Sequence, residues 1–138
     1  MNWFKLNNEH QIDSPALLIY KDRVEQNIDL MIKIAGNPER LVPHVKTHKM
    51  AEIVQMQLTA GVSKFKCATI AEAEMLAQAG AKWILLSYQL VSPKTERFVQ
   101  LIENFPEIHF SSLVDSSASG VLLNEVMGKK KLDSQRFY

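Results

Sequence analysis

Leu41-Val42-Pro43-His44-Val45-Lys46-Thr47-His48-Lys49 is the stretch on which the reading of this chain turns. It begins apolar, as a short buried strand does, and ends in Lys, His and Thr, as a strand does where it leaves a sheet. The pattern predicts a strand over 41–46 with side chains alternating between faces. Val42, His44 and Lys46 then share one face, and Leu41, Pro43 and Val45 the other. A lysine at the mouth of an apolar strand, with a histidine beneath it, is a candidate for condensation with an aldehyde. Taken alone, the stretch also fits a solvated basic loop.

The flanking sequence gives the stretch its setting. Upstream, residues 1–14 are polar and irregular, and Ala16-Leu17-Leu18-Ile19-Tyr20 reads as a short strand. Asp22 is the expected N-cap of a capping box with Glu25. Val24, Ile28, Met31 and Ala35 follow at helical spacing up to Gly36-Asn37-Pro38. Downstream, a helix near 49–60 carries Met50, Ile53, Val54 and Leu58. Lys64–Ala68 is a strand, and Thr69 with Glu72 opens a helix that ends at Ala79-Gly80. Trp83–Ser87 is a strand. Ser92-Pro93 starts a helix with Phe98, Leu101, Ile102 and Phe105 on its buried stripe. His109–Val114 is a weaker strand. Asp115-Ser116 caps a last helix carrying Ala118, Val121, Leu122 and Val126.

Strand starts near 41, 64, 83 and 109 thus alternate with helices. Two joints repeat a pattern, Ala60-Gly61-Val62-Ser63-Lys64 and Ala79-Gly80-Ala81-Lys82-Trp83, with glycine suited to the left-handed position that ends a helix. Short alternation of this kind predicts an α/β fold of parallel strands covered by helices. Active residues in such folds gather at the C-terminal ends of strands. Lys46, Thr69, Ser87 through Gln89 and Asp115 fall there.

Composition narrows the functional classes. The 138 residues are 46% hydrophobic and 22% charged, ordinary for a globular domain. A net charge of +1 offers no bulk attraction for nucleic acid or an anionic membrane. No apolar run approaches the roughly 20 residues that span a bilayer. The start, Met1-Asn2-Trp3-Phe4-Lys5, lacks the basic-then-apolar order of a signal peptide. One cysteine, Cys67, excludes an internal disulfide framework and suits the cytoplasm.

Pro43-His44-Val45-Lys46-Thr47-His48-Lys49 resembles the signature of the D-threonine aldolase and D-serine dehydratase family. These are pyridoxal-phosphate enzymes of fold type III, related to alanine racemase. The resemblance runs from about residue 12 to about 123. It includes Ile12-Asp13-Ser14-Pro15-Ala16-Leu17-Leu18, Cys67-Ala68-Thr69-Ile70-Ala71-Glu72-Ala73-Glu74, Ile84-Leu85-Leu86-Ser87-Tyr88-Gln89 and Val114-Asp115-Ser116. The heptapeptide is fairly specific; the other pieces gain weight from occurring in the right order. Val42 is a departure, since relatives often carry arginine there.

The resemblance implies a (β/α)8 barrel followed by a β-rich domain. A full barrel takes about 250 residues, so the expectation is a partial (β/α)8 TIM barrel of about four β/α units. Residues 1–14 are a lead-in, 15–128 the barrel portion and 129–138 an irregular tail at a truncation point. Gly128-Lys129-Lys130-Lys131-Leu132 would lead into a fifth strand. The resemblance places the cofactor, pyridoxal phosphate, on Lys46, with His44, Tyr88 and Gln89 as further cofactor-binding candidates. The substrate implied is a small-molecule D-amino acid of the 3-hydroxy class. Retro-aldol cleavage gives glycine and an aldehyde, and dehydration gives a keto acid and ammonia; nothing in these residues separates a lyase of the first type from the second. Full-length relatives hold a divalent metal near their C-terminus, a region this sequence does not contain. A fragment inactive alone, or a non-catalytic half-barrel remnant, is therefore the competing expectation. An open half-barrel is also expected to self-associate through its uncovered inner face.

Smaller signals have plainer readings. His44 and His48 are four apart, a zinc spacing only on a helix; Pro43 and the apolar pattern argue against one, so no metal is expected. An amine attacks an aldehyde only when neutral, and His44, His48 and Lys49 are the neighbours able to bias Lys46 that way. Cys67 reads as a small buried hydrophobe. The Lys129–Lys131 run reads as a solvated end.

Overall fold

A computed structural model of the chain describes residues 3–130. Among these, five α-helices and three strands follow in order: α1 (Lys21–Ala35), α2 (Ala51–Thr59), β1 (Lys64–Cys67), α3 (Ile70–Ala79), β2 (Trp83–Gln89), α4 (Lys94–Asn104), β3 (His109–Leu113) and α5 (Ser117–Lys129). The strands lie in the order β1-β2-β3 and are all parallel. Sequential parallel strands joined by single helices are the repeating unit of an α/β barrel, here in part.

Register decides which side chains meet. Phe65, Ile84 and Phe110 form one row across the sheet, and Cys67, Leu86 and Ser112 the next. Every member of both rows is buried. On this face α3 packs against β1 and β2, and α2 to α5 touch in series. Val54 of α2, Leu76 of α3, Phe98 and Ile102 of α4 and Met127 of α5 complete the same core. Each fully buried side chain of this size stabilises by roughly 1.5–3 kcal/mol relative to exposure. The opposite face alternates with it: Lys64, Trp83 and His109 in one row, Lys66, Leu85 and Ser111 in the next.

The helix ends follow the local chemistry. Thr69 caps α3 by accepting a hydrogen bond from Glu72 N–H at 3.2 Å. Gly80 ends that helix at φ 96°, where a side chain would be strained. Gly61, after α2, has φ 94°, and a Cβ there would come within 3.2 Å of Pro38 Cγ.

Several expectations need correction. The chain over 41–46 is not a full strand. Pro43 C=O accepts from Lys66 N–H at 2.9 Å and His44 pairs with Lys66 as one isolated parallel bridge. The ladder stops because Lys46 N–H turns to the His44 ring, and Val45–Thr47 close a 3-10 turn. The alternation placing Lys46 beside His44 therefore ends at His44.

Ala16–Tyr20 is not a strand either: no neighbour among the described residues pairs with it, and Leu17, Leu18 and Ile19 are exposed. Asp22 is not the cap of α1. Arg23 N–H and Val24 N–H both donate to Tyr20 C=O, so the helix starts earlier and Asp22 falls in its first turn. There its carboxylate favours the positive end of the helix dipole. The cap of α4 is Pro93, one residue after Ser92, because Lys94 N–H closes a turn on Val91 C=O.

Of the apolar residues that the sequence puts on α5, Val126 packs against the core and Leu122 is half-buried. Leu123 and Met127 are buried while Ala118 and Val121 are exposed. Packing on α4 selects between two apolar phases that the sequence offers equally. The irregular tail expected from residue 129 begins later, because Lys129 is still the last residue of α5 and Lys130 its C-cap, and Gly128 and Lys129 of the expected fifth-strand lead-in are helical; the rest of both, from Lys131 onward, lies outside the described residues. No helix among the described residues is long and apolar enough to cross a membrane.

Candidate active site

Lys46 sits where the chain leaves β1's outer neighbour and turns towards α2. Its side chain is exposed, and Val45 beside it is completely buried. Val45 thus roots the turn while Lys46 and Thr47 project outward. Two histidines brace it: Lys46 N–H donates to His44 Nδ1 at 3.2 Å, and Met50 N–H donates to His48 Nδ1 at 3.1 Å. An Nδ1 that accepts carries no proton, so each ring is held as the neutral tautomer with its proton on Nε2.

The electrostatics agree with this geometry. Burial pushes the pKa of His44 below 6.5, and the charges of Lys66 and Lys46 push it the same way. Burial also lowers that of His48, with the charge of Glu72 acting the other way. Because folding favours the neutral rings, the unfolded chain binds more protons just below 6.5. The stability contributed by these caps is complete above 6.5 and is lost as pH falls through the lower folded values. We expect the thermal midpoint to decline over that window. Replacing both histidines by asparagine, which accepts a hydrogen bond without titrating in this range, flattens the decline. A slope unchanged in the double variant would show that these rings do not carry it.

Tyr88 and Gln89 end β2. They line a cavity of about 240 Å3 together with Thr69, Ile70, Lys94 and Arg97. Lys94 Nζ stands 5.1 Å from the centre of the Tyr88 ring. The structure therefore joins His44 with Lys46, and Tyr88 with Gln89, but the cavity lining includes neither Lys46 nor His44. A larger groove between α1 and α2 holds none of these four residues. Among the described residues no three His, Cys, Asp or Glu side chains gather as a metal site requires. Cys67 is wholly buried and its thiol is pushed up to about 12, chiefly by burial, which keeps it unreactive. Ser116 caps α5 through its hydroxyl, which accepts from Ser119 N–H.

Sequence reasoning passed over one residue here. Glu72 reads as a capping-box acid, yet the residue is 4% exposed and its carboxylate does two further things. Oε2 accepts from Ala68 N–H at 2.8 Å, and Oε1 lies 3.5 Å from Lys49 Nζ. The box itself was visible in the sequence. The ion pair was not, because it joins two segments 23 positions apart by numbering.

Comparison with known proteins gives three findings. A family model described as alanine racemase, N-terminal domain, matches residues 19–117. The D-threo-3-hydroxyaspartate dehydratase of Delftia sp. (strain HT23) is 34% identical over 91 residues, covering 65% of this chain and 24% of that protein. The crystal structure of D-threonine aldolase from Filomicrobium marinum matches with a TM-score of 0.78 and 30% identity, covering 88% of this chain and 32% of that one. The chain spans about a quarter of the first relative's length and about a third of the second's.

Proposed function

The chain belongs to the alanine racemase N-terminal domain family, and on that premise we propose that it contributes the cofactor lysine, Lys46, of a pyridoxal-phosphate-dependent lyase. The substrate class we propose is D-3-hydroxy amino acids, on the likeness to a D-threonine aldolase and a D-threo-3-hydroxyaspartate dehydratase. Between the two outcomes, we favour cleavage to glycine and an aldehyde, because the likeness to the aldolase covers more of this chain. Elimination of water followed by hydrolysis to a keto acid and ammonia is the alternative.

The observation that carries the reading is the Lys46 turn. A primary amine is exposed on a turn that is buried at Val45 and braced by two neutral histidine rings. That donor fits the cofactor: an aldehyde needs a reachable amine, which Lys46 supplies with loss of water. When bound, pyridoxal phosphate acts as an electron sink for bond breaking at the substrate Cα. His44 orients the turn from which Lys46 reaches. Tyr88 and Gln89 remain our candidates for contact with the cofactor from the end of β2. We further propose residues 15–128 as one barrel portion, a reducing compartment such as the cytoplasm, and self-association of this chain through the open face of the sheet. We expect no turnover by these 138 residues alone, given the share of the relatives that they span.

The test is cofactor labelling. Purified chain is mixed with pyridoxal phosphate, reduced with borohydride, digested and mapped. The label is expected mainly within residues 41–49, on Lys46. Label spread evenly over exposed lysines such as Lys33 and Lys129 would overturn the assignment.

A further inference from the structure

Glu72 is the one buried charged side chain among the described residues. An isolated buried carboxylate is costly, so its partners explain why it is tolerated. They sit on the Lys46 turn and at its foot. Ala68 N–H, at the end of β1, holds Oε2, and Lys49 Nζ, just past the turn, reaches Oε1. Its charge also acts on both His44 and His48.

Lys49 carries a second oddity. Its φ is 51°, the left-handed region that a residue with a side chain rarely adopts. Its N–H donates to Val45 C=O at 2.8 Å, closing the turn around Lys46. Strained backbone of this kind persists only where its surroundings hold it. The entry of the turn is tied to β1 by the bond between Pro43 C=O and Lys66 N–H. The ion pair from Lys49 to Glu72 ties the exit to the first turn of α3. Between these two ties lie buried Val45 and exposed Lys46.

We propose that Glu72 is the positioning residue for Lys46: through Lys49 it fixes the exit of the turn and so sets where the Lys46 amine stands. The role rests on the reading of Lys46 given above, but the clamp itself is measurable without cofactor.

The experiment compares the full chain with Glu72→Gln, Lys49→Met, the double variant and Lys49→Arg. Gln keeps the size and a carbonyl for Ala68 N–H while removing the charge. Amide hydrogen exchange over 46–50 reads the clamp directly. Coupled contacts shift such equilibria by about tenfold, so we expect roughly that acceleration in Glu72→Gln and in Lys49→Met and no further gain in the double. Lys49→Arg restores the slow exchange. The rate of pyridoxyl labelling at Lys46, relative to exposed Lys33 in the same digest, is expected to fall in step.

Unchanged exchange in both single variants, or additive effects in the double, overturns the proposal. Faster exchange without any change in the labelling ratio also overturns it, since the clamp would then not set the amine. If Glu72→Gln fails to fold, Lys49→Met against Lys49→Arg decides alone. Wild-type label that does not favour Lys46 defeats the cofactor reading instead, and the exchange result still judges the clamp.

Discussion

Lys46→Ala is expected to abolish borohydride-fixed pyridoxyl label in the 41–49 segment while leaving the fold intact. At position 46 the loss is all-or-none because only an amine can condense with the aldehyde, and the other amine of the segment, Lys49, is engaged with Glu72. Lys46→Arg is expected to be equally blank, since a guanidinium keeps the charge without the nucleophile. The fold survives because the Lys46 side chain is exposed and holds no hydrogen bond or ion pair among the described residues. Its backbone N–H, which donates to His44, remains in the alanine variant. Surface replacements of this kind usually change stability by no more than about 0.5 kcal/mol. Circular dichroism and peptide mapping of the same samples check both halves. Label persisting at wild-type level in the segment, on Lys49, would mean that the turn has no chemically distinct lysine.

The order of elements from α2 to α5 was legible because each is short, bounded by glycine or a capping side chain, and apolar on one stripe. Thr69 with Glu72, and Gly80, are local signals that local geometry obeys. The errors fall where a non-local partner decides. Ala16–Tyr20 has strand composition, but a strand exists only when a neighbour accepts its hydrogen bonds. Residues 41–46 have strand alternation, yet the His44 ring competes for the next N–H and wins. In α5, apolar residues permit two phases, and packing against α4 chooses the one that buries Leu123 and Met127. The site shows the same division. Lys46 and His44 were found from one motif, being two residues apart. Glu72 was read only as a cap because its tie to Lys49 depends on how α3 lies against the turn. The separation of Tyr88 and Gln89 from Lys46 in the cavity lining likewise has no counterpart in spacing.

Phe110→Ala should be the most damaging single core change on β3, and it tests whether the sheet is packed as described. Phe110 has no exposed surface, stands in the row with Ile84 and Phe65, and meets the Phe98 ring edge-on at 6.1 Å. Truncating a buried phenylalanine costs about 3–5 kcal/mol, from lost transfer energy and the cavity left behind. An aromatic pair adds about 0.5–1.5 kcal/mol beyond burial. Against a total stability of about 5–15 kcal/mol for a domain, that is a large fraction. The thermal midpoint should therefore drop by roughly 10–20 °C. Phe110→Leu, which keeps most of the volume, should cost less than half as much. Leu113→Ala provides the control on the same strand: Leu113 is 43% exposed, so its loss should change stability by about 0.5 kcal/mol or less. Urea or thermal unfolding of the three variants measures the order directly. Equal losses for Phe110→Ala and Leu113→Ala would mean that β3 does not bury Phe110 against α4. The row of Phe65 and Ile84 on the helix-covered face would then lack its third member.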